Sequence, residues 1–307
     1  MKSSSTGFFS GLFRNKDLLL LHTIVFIWGW SPILGNLIKR EGVVALQLVW
    51  FRILITVITI ALYLLFTKTS IRLHRKDIWK LLGIGAIIAF HWFCFYHAIN
   101  VSNVSVTLVA FATGTLFTSL IEPFFYKRRI IRYEIVFGMV IIAAIALIFK
   151  VETQYTLGII FGILAAFTSS LFTVFNGLLV QRIPSPLIAI YELGGGFIAL
   201  SLFLLFSGGF TASFFNISAG GLGWLTILSV LGTAYPFIAS VNLMKRISPY
   251  TVTLTVNLET IYGIIIAYIL WKQDEVMTPA FYIGAFIILC TVFGNSMLKK
   301  YLGRKQA

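Results

Sequence analysis

Apolar runs, each about as long as a helix must be to cross a bilayer, occupy almost the whole chain. They cover 18–38, 45–66, 79–99, 104–124, 132–149, 156–180, 186–206, 222–243, 249–271 and 279–298, with short polar corners between them. A helix needs about 20 apolar residues to span the hydrocarbon core, and helices are preferred there because lipid cannot satisfy an exposed backbone N–H or C=O. A soluble chain of 307 residues that is 59% hydrophobic and 11% charged would have too little polar surface to cover itself. The runs therefore predict an all-α integral membrane protein with ten transmembrane helices. The run from Leu18 is long enough to span and no small-residue cleavage site follows it, so it reads as the first helix and not as a signal peptide.

Charge placement orients the bundle. A formal net charge of +14 would point to nucleic acid in a soluble protein, but here its distribution explains it. Of the 24 Lys and Arg, only Lys39, Arg40, Lys150 and Lys272 fall on one side and Arg52 falls inside a span; the rest are on the other side. Basic loops stay cytoplasmic, which predicts a multi-pass protein of the cytoplasmic (inner) membrane with both termini inside. Residues 1–17 form a basic arm and 299–307 a basic tail.

The stretches 105–138 and 251–284 align without a gap. Both open Ser/Thr-Val-Thr-Leu, run to a charged corner and re-enter an apolar span that reaches glycine. Lys127-Arg128-Arg129 in the first stands opposite Gln273-Asp274-Glu275 in the second, while upstream, slightly out of register, Val101-Ser102-Asn103 stands against Lys245-Arg246-Ile247. The basic ends have swapped sides, as they would if one unit were inserted in opposite orientations. Ten helices divide into two inverted five-helix repeats, 18–149 and 156–298, because an odd number per repeat inverts the second.

Charged residues inside spans usually face a protein interior or an aqueous cavity. Arg52, Glu192 and Glu259 stand out. The helix-to-helix offset superposes Phe51-Arg52 on Tyr191-Glu192, so these two could pair across the repeat axis as a structural ion pair, or act in binding and gating. Glu259 sits in Thr255-Val256-Asn257-Leu258-Glu259-Thr260, among groups able to hydrogen-bond a ligand, and its first-repeat counterpart is Thr113. It is the expected partner of a substrate amine or a coupling proton, with Arg52 as partner of a carboxylate and Glu192 in coupling or gating. His91-x-x-Cys94-x-x-His97 has the look of a metal triad, yet at about 100° per residue the three spread over about 120° and rise about 9 Å. No metal and no cofactor are expected; His91 reads as pocket-lining or as packing. Trp28, Trp30, Trp92, Tyr96, Tyr191, Tyr235 and Tyr262 could stack on a substrate, or anchor helices at the membrane interface. Trp28, Trp30, Pro32 and Asn36 mark the first helix as bent and cavity-facing, with Asn176 as its approximate repeat partner. Gly158-x-x-x-Gly162 has the spacing of close helix packing and allows a homodimer. The uncharged loop 207–221 is either a gate or a linker, and Asn100, Asn103 and Asn216 fit polar helix caps. Cys94 and Cys290 lie in separate apolar spans, which gives no disulfide framework. No P-loop, G-x-S-x-G elbow or HExxH is present.

With this plan, Trp28-Gly29, Arg52, Leu258-Glu259-Thr260, Thr278-Pro279 and Ile283-Gly284 together resemble the EamA group of the drug/metabolite transporter (DMT) superfamily over 18–298. The family's proline after the ninth-helix acid is Thr260 here, and the Gly-Glu that often ends its fourth helix is replaced by Lys127-Arg128-Arg129. The resemblance implies a secondary active transporter of a small polar or zwitterionic metabolite: an amino acid, nucleobase, vitamin or drug-like compound. Its expected mechanism is alternating access around a cavity lined by helices 1, 3, 4, 6, 8 and 9. The expected substrate-binding set is Glu259, Arg52, Asn257, Trp30, Asn36, His91, Tyr96, Asn176, Tyr235 and Tyr262, with Glu192 and Glu259 in coupling. Partners are a small molecule, the lipid bilayer and a coupling proton, and no nucleic acid. The competing reading is a membrane-embedded enzyme acting on a lipid-like substrate through His91, His97 and Glu259.

Overall fold

The computed structural model describes residues 5–127 and 132–305; their regular structure is helical, with no strand among them. The helices are α1 (Ser5–Gly29), α2 (Ser31–Arg40), α3 (Ala45–Phe66), α4 (Arg75–Val101), α5 (Val104–Phe111), α6 (Gly114–Phe125), α7 (Arg132–Val151), α8 (Thr156–Leu179), α9 (Ser185–Phe206), α10 (Ala219–Ser229), α11 (Tyr235–Leu243), α12 (Pro249–Glu275) and α13 (Pro279–Lys305). Among the described residues, eight helical segments are long and apolar enough to cross a bilayer, and two shorter apolar helices, Val136–Val151 and Pro279–Gly294, accompany them. The protein is a multi-pass membrane protein. The basic arm is helical from Ser5 and runs into α1, whereas Arg128 and Arg129 of the charged corner lie outside the described residues.

Three spans are broken at places the residues explain, and α12 is also kinked, at Trp271. The first stops at Trp30, and α2 restarts with Pro32 in its first turn, where a missing N–H costs nothing. The fourth interrupts at Ala112–Thr113 before Gly114. The eighth passes from α10 to α11 through a π-helical turn, Val230–Ala234, just ahead of Pro236. Proline cannot donate to the carbonyl four residues back and its ring crowds it, and a widened turn relieves both.

α4 lies at the centre, against α8, α9 and α3. Small residues let α4 and α9 approach closely. A Cβ on Gly85 would collide with the Glu192 carbonyl, and one on Gly195 with the backbone of Leu82. Gly158 and Gly162 are used within the chain, against Ser102 and Ala110, so this GxxxG face is already occupied. α7 and α13 pair at the periphery around Ile141, Ile148, Phe281 and Ile288.

The loop 207–221 is not a free linker. Its short 3₁₀ turn, Ala212–Phe215, buries Phe214 against Trp50 and Phe51, and Gln47 Nε2 donates to the Phe214 carbonyl at 2.6 Å. Helix ends are capped from across the fold. Glu275 Oε2 accepts from the Ser105 N–H at 2.8 Å and the Ser105 hydroxyl at 2.6 Å, and Oε1 from the Val104 N–H at 3.1 Å. Asn103 caps α5 itself, through the Val106 N–H at 2.9 Å. Glu152 Oε1 receives the Thr278 N–H and hydroxyl at the start of α13.

Candidate functional site

A cavity of about 110 Å³ lies between the two halves of the chain. Its wall is drawn from the six expected spans and also from α3, through Arg52. The lining reaches Met244, just past the end of α11, as well as Asn176 near the end of α8 and Val252 near the start of α12. It therefore extends toward the end of the bundle where α8 and α11 finish and α12 begins.

Arg52 is buried, yet among the described residues no acid lies within ion-pair distance of it. Its Nε donates to Thr233 Oγ1 at 2.9 Å and its Nη1 to the Tyr96 hydroxyl at 2.7 Å. Its guanidinium lies over the Trp92 ring, 4.0 Å from the centroid, a cation–π arrangement. The π turn supplies the partner: Thr233 accepts from Arg52 while its own hydroxyl donates to the Leu228 carbonyl at 2.7 Å. The other guanidinium N–H groups have no protein acceptor among the described residues, and Arg52 stands in the cavity wall.

Glu259 stands in the same wall, buried and without a hydrogen bond from any described residue. Around it, α12 is stitched to α5 and α6. Asn257 donates to Thr115 Oγ1, and Thr260 donates to the Leu108 carbonyl at 3.2 Å. Thr118 and Thr253 meet at 3.3 Å. Asn257 also lines the cavity. So does His91; its Nδ1–H donates to the Ala165 carbonyl at 2.8 Å, which leaves Nε2 as an acceptor in a ring of Phe95, Phe111 and Phe172.

Six of the expected residues thus come together: Arg52, Glu259, Asn257, His91, Tyr96 and Asn176. Four do not line the cavity. Trp30 sits at the break between α1 and α2 and is 41% exposed, Asn36 is buried in α2, Tyr235 is 59% exposed, and Tyr262 packs against Gly29 and Phe26. The break after Gly29 is the reason for the first two, since it turns α2 out of register with Trp28, which does line the cavity. Glu192 does not snorkel and does not meet Arg52; it is fully buried and takes a hydrogen bond from Asn176 Nδ2 at 3.1 Å. His97 lies on Phe93 and Phe161, apart from His91, so the lipid-enzyme set does not converge. Among the described residues no three His, Cys, Asp or Glu side chains are grouped as metal ligands.

Sequence reasoning missed Thr233 and Ser31, which line the cavity, and Glu122, buried in α6. Hydroxyls are too common in membrane helices to stand out. Glu122 had a signal, an acid inside an apolar span followed by Pro123.

Bidentate ion pairs bind the end of the bundle where α8 and α11 finish. Arg182 pairs with Asp77 and Arg246 with Asp17, both at 2.7 Å. In each case the carboxylate makes the guanidinium hold its proton more tightly than usual. At the opposite end Arg40 pairs with Asp274, Asn103 Nδ2 donates to the Asp274 carbonyl at 3.1 Å, and Lys39 donates to the Ile99 carbonyl at 3.0 Å.

Comparison with known proteins agrees with this architecture. The sequence pattern of the EamA-like transporter family matches residues 15–150 and 156–297. A Bacillus subtilis (strain 168) protein named "Uncharacterized transporter YdfC" is 24% identical over 268 residues, covering 84% of each chain. A protein of solved crystal structure shares the fold with a TM-score of 0.66 at 14% identity, over 90% of this chain and 97% of that one.

Proposed function

The chain belongs to the EamA-like transporter family, and from that premise we propose that it is a secondary active carrier moving a small zwitterionic metabolite across the cytoplasmic membrane by alternating access. One observation carries the substrate class: Arg52 and Glu259 stand in the wall of one cavity and form no ion pair with each other. A cation and an anion held apart by the protein present complementary sites for a molecule that carries both charges, and Asn257 and the Trp92 ring supply polar and apolar contact. Ten crossings in two inverted five-helix repeats fit the charge inversion, and the two repeated stretches, in α5–α6 and α12, face each other at the centre of the fold. With both termini cytoplasmic, the cavity opens inward and the Glu275 and Asp274 contacts close the outer side.

The test is a thermal-shift panel on detergent-purified protein, with amino acids, nucleobases, vitamins and cationic compounds, on wild type, Arg52→Gln and Glu259→Gln. A ligand that binds only the native state raises the melting temperature by mass action. The expected result is a zwitterion that stabilises wild type and neither variant, followed by its counterflow in liposomes. A hit of single charge that still stabilises both variants would sink the zwitterion assignment.

A further inference from the structure

Behind the cavity wall, α8 and α9 bury an acid, Glu192, with which no cation among the described residues pairs. Glu192 has no exposed surface, and its Oε2 accepts one hydrogen bond, from Asn176 Nδ2 at 3.1 Å. Its Oε1 has no donor among the described residues, and Asn176 Oδ1 has none either. Among the described residues, the charged groups on the helices packed on α9 make no ion pair with Glu192: the basic residues Arg75, Lys76 and Lys80 stand at the start of α4, away from its middle. α3 contributes Arg52, which is bound to Thr233 and Tyr96; α4 contributes His91, bound to Ala165, and at its start Asp77, bound to Arg182. Tyr235 on α11 is exposed, and Tyr191 on α9 itself donates to the Ile71 carbonyl at 2.7 Å.

An ionised carboxylate in that position would be held by a single neutral hydrogen bond in a place from which water is excluded, a costly state. One proton on Oε1 removes the charge and supplies the donor that Asn176 Oδ1 lacks. A planar acid facing a planar amide can satisfy both unpartnered atoms at once through two hydrogen bonds. We propose that Glu192 and Asn176 form a proton-binding site, loaded in this conformation. Asn176 lines the cavity, so whatever enters there and bonds its amide competes with Glu192 for it. The exchange of that proton with the cavity rests on the carrier reading; the occupancy of the site does not.

Infrared difference spectroscopy of the full-length protein in liposomes, titrated from acidic to alkaline buffer, reads the proton directly. The expected spectrum has a carbonyl stretch of a buried carboxylic acid that Glu192→Gln removes and Asn176→Leu shifts. An unchanged acid band in Glu192→Gln, meaning that Glu192 is ionised, overturns the proposal. Stability gives an independent readout. Gln carries an amide that can make the same two bonds with Asn176, so Glu192→Gln should melt no lower than wild type, while Glu192→Leu should melt lower. A Gln variant that melts as low as the Leu variant means the charge is needed, and this also overturns it. Neither measurement uses flux, so a failure of the carrier reading leaves both results standing and is recognised separately.

Discussion

Arg52 is held by two hydroxyls and two aromatic rings and, among the described residues, by no acid, which on the proposed reading leaves its charge available to a ligand. Planarity matters here, because the guanidinium donates to Thr233 and Tyr96 while stacking on Trp92. Lysine keeps the charge and cannot do all three. Arg52→Lys is therefore expected to lower transport ten- to a hundredfold, about 1.4 to 3 kcal/mol, with a melting temperature near that of wild type; unimpaired flux would show that only the charge counts. Glu259→Gln preserves shape and removes the acid, and transport by this variant is expected to lose the pH dependence of wild type. A pH profile superposable on that of wild type would remove Glu259 from any coupling role.

Helix elements place these side chains, and two of their features are open to direct test. The π turn exists because Pro236 disturbs the helix ahead of it, and it presents Thr233 to Arg52. Pro236→Ala restores a donor and permits a regular α-helix, so transport is expected to fall while the protein stays folded; crystallography or flux in the variant would decide. The α4–α9 seam depends on residues without side chains. A branched side chain at Gly195 has the Leu82 backbone in its way, so Gly195→Val should cost about 1 to 3 kcal/mol or more and reduce monodisperse yield in size-exclusion chromatography. A comparable substitution at Gly194, which faces open space, should be tolerated.

In the whole molecule, the proposed carrier cycle makes contacts at the two ends the ones that set which side the cavity faces. Glu275→Ala deletes three hydrogen bonds between α12 and the start of α5, and it is expected to favour outer opening by about 1 to 3 kcal/mol. Spin labels at Glu41 and Val276 would report a longer distance if so, and an unchanged distribution would assign the closure to other contacts. Apolar run length was enough to identify a membrane-embedded helical bundle from the sequence alone, because lipid leaves the backbone no alternative that is as short and as fully hydrogen-bonded. The family resemblance was legible too, since it rests on residue order along the chain. Intramembrane charge likewise pointed to Arg52 and Glu259 for the cavity, because such residues are costly anywhere else. Which side chains converge was decided only in three dimensions. The break at Trp30 separates Trp28 from Asn36, the π turn brings in Thr233, and α8 gives Glu192 an amide in place of the expected arginine. Helix breaks of this kind depend on what packs alongside, and rotation about a helix axis is set by neighbouring helices that a linear pattern does not encode.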